Sequence, residues 1–354
     1  MNSLIKSYLA NRKQFVSLNG FDSDLRSLQC GVPQGSSLGP LLFLIYINDF
    51  NLCLEKCESG HFADDTFILF ASKKIGTIES VVNHELKLVS NWLRLSKLSL
   101  NAGKTELIFF KSKQHSLDYK NISIKFNGVK LAPVDYVKYL GIYIDKYLSW
   151  NVQVLQLSKK LSRANGILSK LRYYVPFETC LQVYYALFYS HLIYGCNVWG
   201  LTSNENINKI EILQRKCLRI ITFSDFRSHT NHLFIKHKIL KVRDIINLQH
   251  LLLLFKFLDN SLPTDLITLF KLNAEIHRYQ TRQVFHIPGV DTSTYGINSI
   301  KFHCPVLWNK TWTHGVATDG EKSNVSFNHI HSVHQFKRTL KKHYLYNYTL
   351  SINV

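Results

Sequence analysis

Two adjacent acids, Asp64 and Asp65, stand between two runs that read as strands and are flanked by apolar residues, in the order Phe62-Ala63-Asp64-Asp65. Neighbouring carboxylates repel, and near apolar surroundings they also lose hydration. A cation between them offsets both costs. An oxygen-only donor pair suits a hard ion such as Mg²⁺, which keeps part of its water and takes substrate phosphates as further ligands. Such a pair would serve phosphoryl or nucleotidyl transfer. A tight turn also favours Asp, so the doublet alone fits a bland reading equally well.

Composition narrows the choice. The chain has 354 residues, 46% hydrophobic and 13% aromatic, enough for two or three folded domains and too apolar for disorder. Its net charge of +19 points to a polyanionic partner, and 18 Tyr and 22 Phe supply rings on which bases can stack. A basic surface without a partner is the competing reading. Seven cysteines form no framework, and Met1 to Arg12 lacks the apolar run of a secretory leader. Reduced thiols inside a cell, in nucleus or cytoplasm, are the expectation. Cys53 and Cys57 lack partners at zinc-ligand spacing, and His329, His331 and His334 lack a nearby Cys or acid. No charged residue lies between Glu178 and Glu205, but Gln182, Ser190, His191 and Asn197 interrupt the stretch. It reads as a buried helix and not a membrane span.

The elements that must position the acids follow from periodicity. Residues 3–13 predict a helix, Phe15 to Leu18 a strand, and Arg26 to Cys30 its partner. The turn-rich Gly31-Val32-Pro33-Gln34-Gly35-Ser36-Ser37-Leu38-Gly39-Pro40 leads into an apolar run, Leu41 to Phe50, expected as a buried helix. A strand around Phe62 and another over Thr66 to Phe70 would make a hairpin that turns at the acids. Ile78 to Leu95 is amphipathic, Thr105 to Phe110 reads as a strand, and Ile122–Phe126 with Val129–Leu131 as a hairpin around Asn127-Gly128. Tyr139 to Ile144 reads as a further strand. After Trp150 helical spacing takes over, with helices over 178–195, Ile207 to Ile221 and Val242 to Leu258. Beyond Pro263 the pattern is less regular, with turns at Pro288-Gly289 and Asp319-Gly320.

Gly31 to Pro40, Leu41 to Asp49 and Phe62 to Asp65, in that order, resemble the reverse transcriptase domain of non-LTR retrotransposons of the jockey, LINE-like type. The likeness is close from Ser3 to Trp150 and looser beyond, where Tyr295-Gly296 and Leu307-Trp308-Asn309 have the look of such elements' tails. It implies an α+β fold: a partial polymerase palm, antiparallel sheet with helices, over 1–150, a thumb-like helical region over 151–222, and a mostly helical region with an irregular tail over 223–354. It implies RNA-directed DNA synthesis with Mg²⁺, or Mn²⁺, held by Asp64 and Asp65. Two ions about 3.5–4 Å apart would activate a primer hydroxyl and stabilise leaving pyrophosphate. Ala63 would leave room for the primer end, and Gly31, Gln34 and Gly35 would lie under template and nucleotide. Lys104 would neutralise phosphate or protonate pyrophosphate. Gly103-Lys104-Thr105 is no P-loop, because Leu98 stands where the earlier glycine is required. Tyr139, Leu140 and Gly141 match the primer grip. Lys159, Lys160, Arg163, Lys170 and Arg172 would track duplex phosphates.

The implied partners are RNA template, DNA primer and deoxynucleoside triphosphates, with no membrane and no stable protein partner. The resemblance also implies another metal-binding aspartate, on a strand preceding the helix near Ser3. Asp22, Asp24 and Asp49 sit in surroundings that suit turns or helix ends and do not replace it. The expectation is therefore an N-terminally truncated copy with impaired chemistry and an exposed sheet edge. A nucleic-acid-binding relic without catalysis is the alternative.

Overall fold

The computed structural model describes all residues except 1, 30, 34, 115–121, 277–282, 314–329, 331 and 351–354. Cys30 (the end of one expected strand), Gln34, His329, His331 and the Asp319-Gly320 turn lie outside the described residues. The chain divides into two compact units, one of residues 1–109 and 114–134, the other of 110–113 and 135–354. The division falls at 134/135, ahead of the change of pattern at 150.

The first unit opens with α1 (Asn2–Leu9), β1 (Lys13–Gln14), β2 (Ser17–Leu18), β3 (Phe21–Asp22) and β4 (Arg26–Ser27). The expected pairing of Phe15–Leu18 with Arg26–Cys30 is replaced by two nested ladders: Lys13 faces Ser27, and Ser17 faces Asp22. Asn19 and Gly20 both take left-handed φ, 52° and 83°, which closes a two-residue hairpin turn and draws the chain back early. Then follow α2 (Gly39–Ile47), a 3₁₀ turn (Phe50–Cys53), β5 (Glu58–Phe62), β6 (Asp65–Leu69), α3 (Ile75–Leu95), a 3₁₀ turn (Ala102–Lys104), β7 (Lys125–Phe126) and β8 (Val129–Lys130). Thr105–Phe110 forms no strand; Leu107 makes only an isolated bridge to Pro133.

α2 is the expected helix, started by Pro40, but it is not the expected buried one. Leu41, Leu44, Ile45 and Tyr46 are exposed, and only Gly39 is buried. The unit's core gathers elsewhere, around Phe50, Val89, Ile122, Ile124, Phe126 and Leu131. α3 supports that core and also completes backbone hydrogen bonding. Asn83 donates to Ser123 O (2.9 Å) and accepts from Lys125 N–H (2.8 Å), while Glu79 accepts from Ser123 N–H (3.0 Å).

The second unit begins with the hairpin β9 (Tyr136–Tyr139) and β10 (Ile142–Asp145), followed by α4 (Asn151–Leu171). Asp145 is buried and accepts from the backbone N–H groups of Tyr147 and Ser149 (both 3.1 Å) and Trp150 (2.7 Å). These bonds hold Trp150 in a left-handed conformation at the start of α4. Next come α5 (Phe177–Val183), a π-helical stretch (Tyr184–Tyr189), α6 (Ser190–Ile193), α7 (Cys196–Trp199) and α8 (Asn204–Ile221). The expected helix over 178–195 is present as one unbroken helical run from Phe177 to Ile193 that widens to π-helical over Tyr184–Tyr189, and its apolar residues Tyr184, Phe188 and Leu192 are core, not lipid-facing. No helix among the described residues is long and apolar enough to cross a membrane.

α4 and α8 run parallel. Asn206 Nδ2 reaches Asn151 Oδ1 (2.7 Å), Asn165 Nδ2 donates to Leu213 O (3.0 Å), and Arg172 Nη1 donates to Ile220 O (3.0 Å). The chain continues through α9 (Asn231–Lys236), α10 (Val242–Leu258), α11 (Thr264–Ile267), α12 (Asn273–Ile276), a π-helical turn (Ser293–Ile297), α13 (Ile300–Thr313) and α14 (Val333–Leu350). The region beyond Pro263 is more regular than its sequence suggests. Phe336, Leu340, Tyr344 and Tyr348 form a buried stripe on α14. Buried Gln214 ties three elements together: it donates to Tyr184 Oη (3.0 Å) and Leu240 O (2.9 Å) and accepts from Val242 N–H (3.1 Å).

The described strands are antiparallel, as an α+β palm requires, but they form five separate two-stranded ladders and not one sheet. Their outer edges carry no ladder partner among the described residues.

Candidate active site

The acids stand at the tip of the β5–β6 hairpin. Phe62 faces Asp65, so Ala63 and Asp64 are the two turn residues. Ala63 has φ 54°, at a position where a two-residue hairpin turn ordinarily uses glycine. A methyl group there costs about 1 kcal/mol of backbone strain. Both carboxylates are exposed, and neither has a hydrogen bond or ion pair among the described residues.

One hairpin face is tied down. His61 Nδ1 and Thr66 Oγ1 are 2.9 Å apart, His61 Nε2 and Asn51 Oδ1 are 2.9 Å apart, and Ser59 Oγ donates to the same Asn51 oxygen. The Phe50 ring meets His61 edge-on at 4.8 Å and Trp92 at 5.1 Å. Partial burial lowers the proton affinity of His61. The opposite face carries Phe62, Asp65, Phe67 and Leu69, all exposed. A Cβ at Gly60 would collide with the Phe67 ring, so glycine is required beneath it.

The residue that seats this hairpin was not singled out from sequence. Glu85 of α3 is fully buried and accepts from the N–H groups of Glu55 (3.1 Å) and Lys56 (2.9 Å), just before β5. A glutamate among the apolar positions of an amphipathic helix was its only signal.

Gly31 and Gly35 have left-handed φ of 81° and 79°. Arg12 donates to Gly31 O, and Tyr8 Oη shares a hydrogen bond with Ser36 Oγ, so the loop is anchored at both ends. Lys104 ends a 3₁₀ turn and is exposed; its side chain has no acidic partner among the described residues. These residues share the first unit with Asp64 and Asp65.

The remaining candidates lie in the second unit. Leu140 and Gly141 are not strand residues: with φ of 46° and 80° they are the turn between β9 and β10, and only Tyr139 is in a strand. Tyr194 holds this turn by donating to Leu140 O (2.6 Å). On α4, Lys159, Arg163 and Lys170 are exposed on one stripe, opposite buried Leu157, Leu161, Ala164 and Leu168. Lys160 flanks them; burial, with the charge of Lys160, lowers the proton affinity of His191. Arg172 is different. Its guanidinium caps the end of α8 through Ile220 O and donates to Tyr173 Oη (2.7 Å), which makes it a packing residue first.

Two exposed carboxylates with no cationic partner among the described residues suit a hydrated hard ion. Among the described residues no group of three or more His, Cys, Asp or Glu side chains is placed to hold a metal.

Comparison with known proteins gives this geometry a context. Residues 1–144 match the family described as reverse transcriptase (RNA-dependent DNA polymerase). The chain is 27% identical over 252 residues to the RNA-directed DNA polymerase from mobile element jockey of Drosophila melanogaster, covering 68% of this chain and 27% of that protein. It is 27% identical over 252 residues to the probable RNA-directed DNA polymerase from transposon X-element of the same species, covering 69% and 27%. Against the Pol polyprotein of the type-1 retrotransposable element R1 of Bradysia coprophila, identity is 26% over 227 residues, covering 62% and 22%. The matched stretch is thus about a quarter of the length of these relatives.

Proposed function

We propose, on the premise that residues 1–144 are a reverse transcriptase domain of the jockey, LINE-like kind, that this chain is part of an RNA-directed DNA polymerase of a non-LTR retrotransposon. That family acts on a nucleic-acid template with nucleotide substrates and a divalent metal. The observation that carries the reading is the exposed acid pair at a strained two-residue turn, fixed from behind by Asn51, Phe50 and Glu85.

Asp64 and Asp65 would hold Mg²⁺, or Mn²⁺, which when bound polarises phosphate oxygens and lowers the pKa of a primer hydroxyl. Ala63 offers the primer end a small side chain. Gly31 and Gly35 let backbone approach template and nucleotide closely, and Gln34 offers an amide. Lys104 supplies positive charge or a proton for departing pyrophosphate. Tyr139 and the Leu140-Gly141 turn would grip the primer. Lys159, Lys160, Arg163 and Lys170 would hold duplex phosphates without reading sequence, with Arg172 supporting that surface from below. Templates of RNA, primers of DNA and deoxynucleoside triphosphates are the substrates, and the site of action is the nucleus or cytoplasm, where the six described cysteines would stay free thiols.

Two carboxylates are a poor cage for two ions, which favours a second reading, a nucleic-acid-binding protein that has kept the surface and lost the chemistry. Primer extension on an RNA template with Mg²⁺ or Mn²⁺ tests both. The 354-residue chain is expected to bind an RNA–DNA duplex in a salt-sensitive way and to extend it little. Extension that survives Asp64→Ala would contradict the acid assignment. Robust extension abolished by Asp64→Ala would show that the pair suffices and dismiss the second reading.

A further inference from the structure

Four large aromatic side chains stand in the open where α4 and α8 end together. Tyr173 and Tyr174 follow α4, Phe223 and Phe226 follow α8, and they are 66%, 85%, 58% and 77% exposed. Large rings in such numbers are ordinarily buried in a core or used at an interface.

The group is built, not frayed. The Arg172 guanidinium lies 4.8 Å from the Tyr173 ring centre and 4.5 Å from that of Phe223. Those two rings meet edge-on at 5.5 Å. Phe223 has φ 52°, a conformation that a bulky side chain takes only when its surroundings impose it. The loop is fixed by Arg219 Nε donating to Ser228 O (2.9 Å), by Thr222 Oγ1 with Ser224 Oγ (2.7 Å), and by Ser228 N–H to Asp225 O (3.1 Å). The side chains of Tyr174 and Phe226 have no ring or hydrogen-bond partner among the described residues.

The surrounding charge favours a polyanion. Lys170 is in the last turn of α4, on the same stripe as Lys159 and Arg163, and Arg227 follows Phe226. The one acid in the loop, Asp225, accepts from the Arg227 N–H (2.8 Å). Rings at the end of a basic track are the arrangement by which proteins hold unpaired nucleic acid: phosphates follow the charges and base faces stack on the rings.

We propose that the joined ends of α4 and α8 are a stacking platform for unpaired bases of a strand whose phosphates run along Lys159, Arg163 and Lys170. This rests on the nucleic-acid part of the function proposed above and adds the site for the single-stranded segment.

The test is fluorescence anisotropy with dye-labelled single strands of RNA, DNA and an abasic chain of equal length and charge. The intact chain is expected to bind the base-bearing strands about tenfold more tightly per stacked base than the abasic one. Tyr174→Ala with Phe226→Ala should bring the three to parity and leave abasic binding unchanged. Tyr174→Phe with Phe226→Tyr should keep the preference. A preference for one of RNA and DNA, or for both, supports the platform and identifies the strand. Equal binding of abasic and base-bearing strands by the intact chain would overturn it, as would alanine variants that weaken all three alike. So would a concentration-dependent dimer of this chain abolished by the same alanines. If the platform alone is wrong, salt-sensitive binding persists without base preference; if the nucleic-acid reading is wrong, no strand binds in a salt-sensitive way.

Discussion

The two units carry their apolar residues in opposite ways. The second buries an extended cluster that links α4, α8, α10, α13 and α14 through residues such as Trp199, Phe255 and Trp308. Among the described residues, the first has a core of six buried apolar residues and leaves most of α2 and one face of the β5–β6 hairpin exposed. The metal-binding candidates are in the unit with the smaller core. Their geometry therefore depends on a few polar contacts, chiefly those of Glu85 and Asn51, and not on mass of packing. In the second unit polar side chains such as Gln214 sit within an already dense interior.

The largest effect expected to expose this contrast is Trp308→Ala. The ring is buried and packs on Phe285, Trp312 and Phe336. The loss should be about 4 kcal/mol, read in urea unfolding of the second unit, with hydrogen exchange in β5 and β6 unchanged.

Acid should act next, and again on the second unit. His250 is buried, and desolvation, with a smaller contribution from His303, lowers its pKa from 6.5 to about 4. The unfolded chain then binds more protons between these values, so stability is fully present above 6.5, falls as pH falls towards 4, and levels off below it. The total is about 3 kcal/mol. His250→Phe should flatten that part of a stability–pH curve; an unchanged slope would contradict burial of the neutral ring.

In the first unit, Glu85→Ala leaves two backbone N–H groups unpaired and should cost about 2 kcal/mol. Faster exchange throughout β5 and β6 is the expected readout, with the second unit untouched. The smallest change is Ala63→Gly, which removes strain at φ 54° and should stabilise the hairpin by about 1 kcal/mol. Stabilisation together with weaker metal binding would show that the strained turn aims Asp64.

Legibility followed how local the determinant was. The acid hairpin could be read because an acidic turn leads straight into the apolar, strand-forming Thr66 to Phe70, and Val242 to Leu258 because its apolar residues recur at helical spacing over more than four turns. Asn127-Gly128 announced its turn directly; both residues take left-handed φ, 50° and 84°. The nested ladders near Asn19-Gly20 were missed although they use the same turn chemistry, because two-residue strands carry no alternation to count. Exposure of α2 could not be read at all: an apolar run predicts burial, and whether anything covers it is a tertiary fact. α14 was hidden because its core stripe is half tyrosine among lysines. Arg172 looked like one of five phosphate contacts; only the meeting of α4 with α8 shows that its guanidinium is taken up by Ile220 and two rings.

Manganese binding followed by electron paramagnetic resonance tests the acid pair most directly. With an RNA–DNA duplex and a deoxynucleoside triphosphate present, the chain should take up Mn²⁺ at a site lost in Asp64→Ala, weakened in Asp65→Ala and competed by Mg²⁺. Uptake that ignores both substitutions, or none under these conditions, would contradict it.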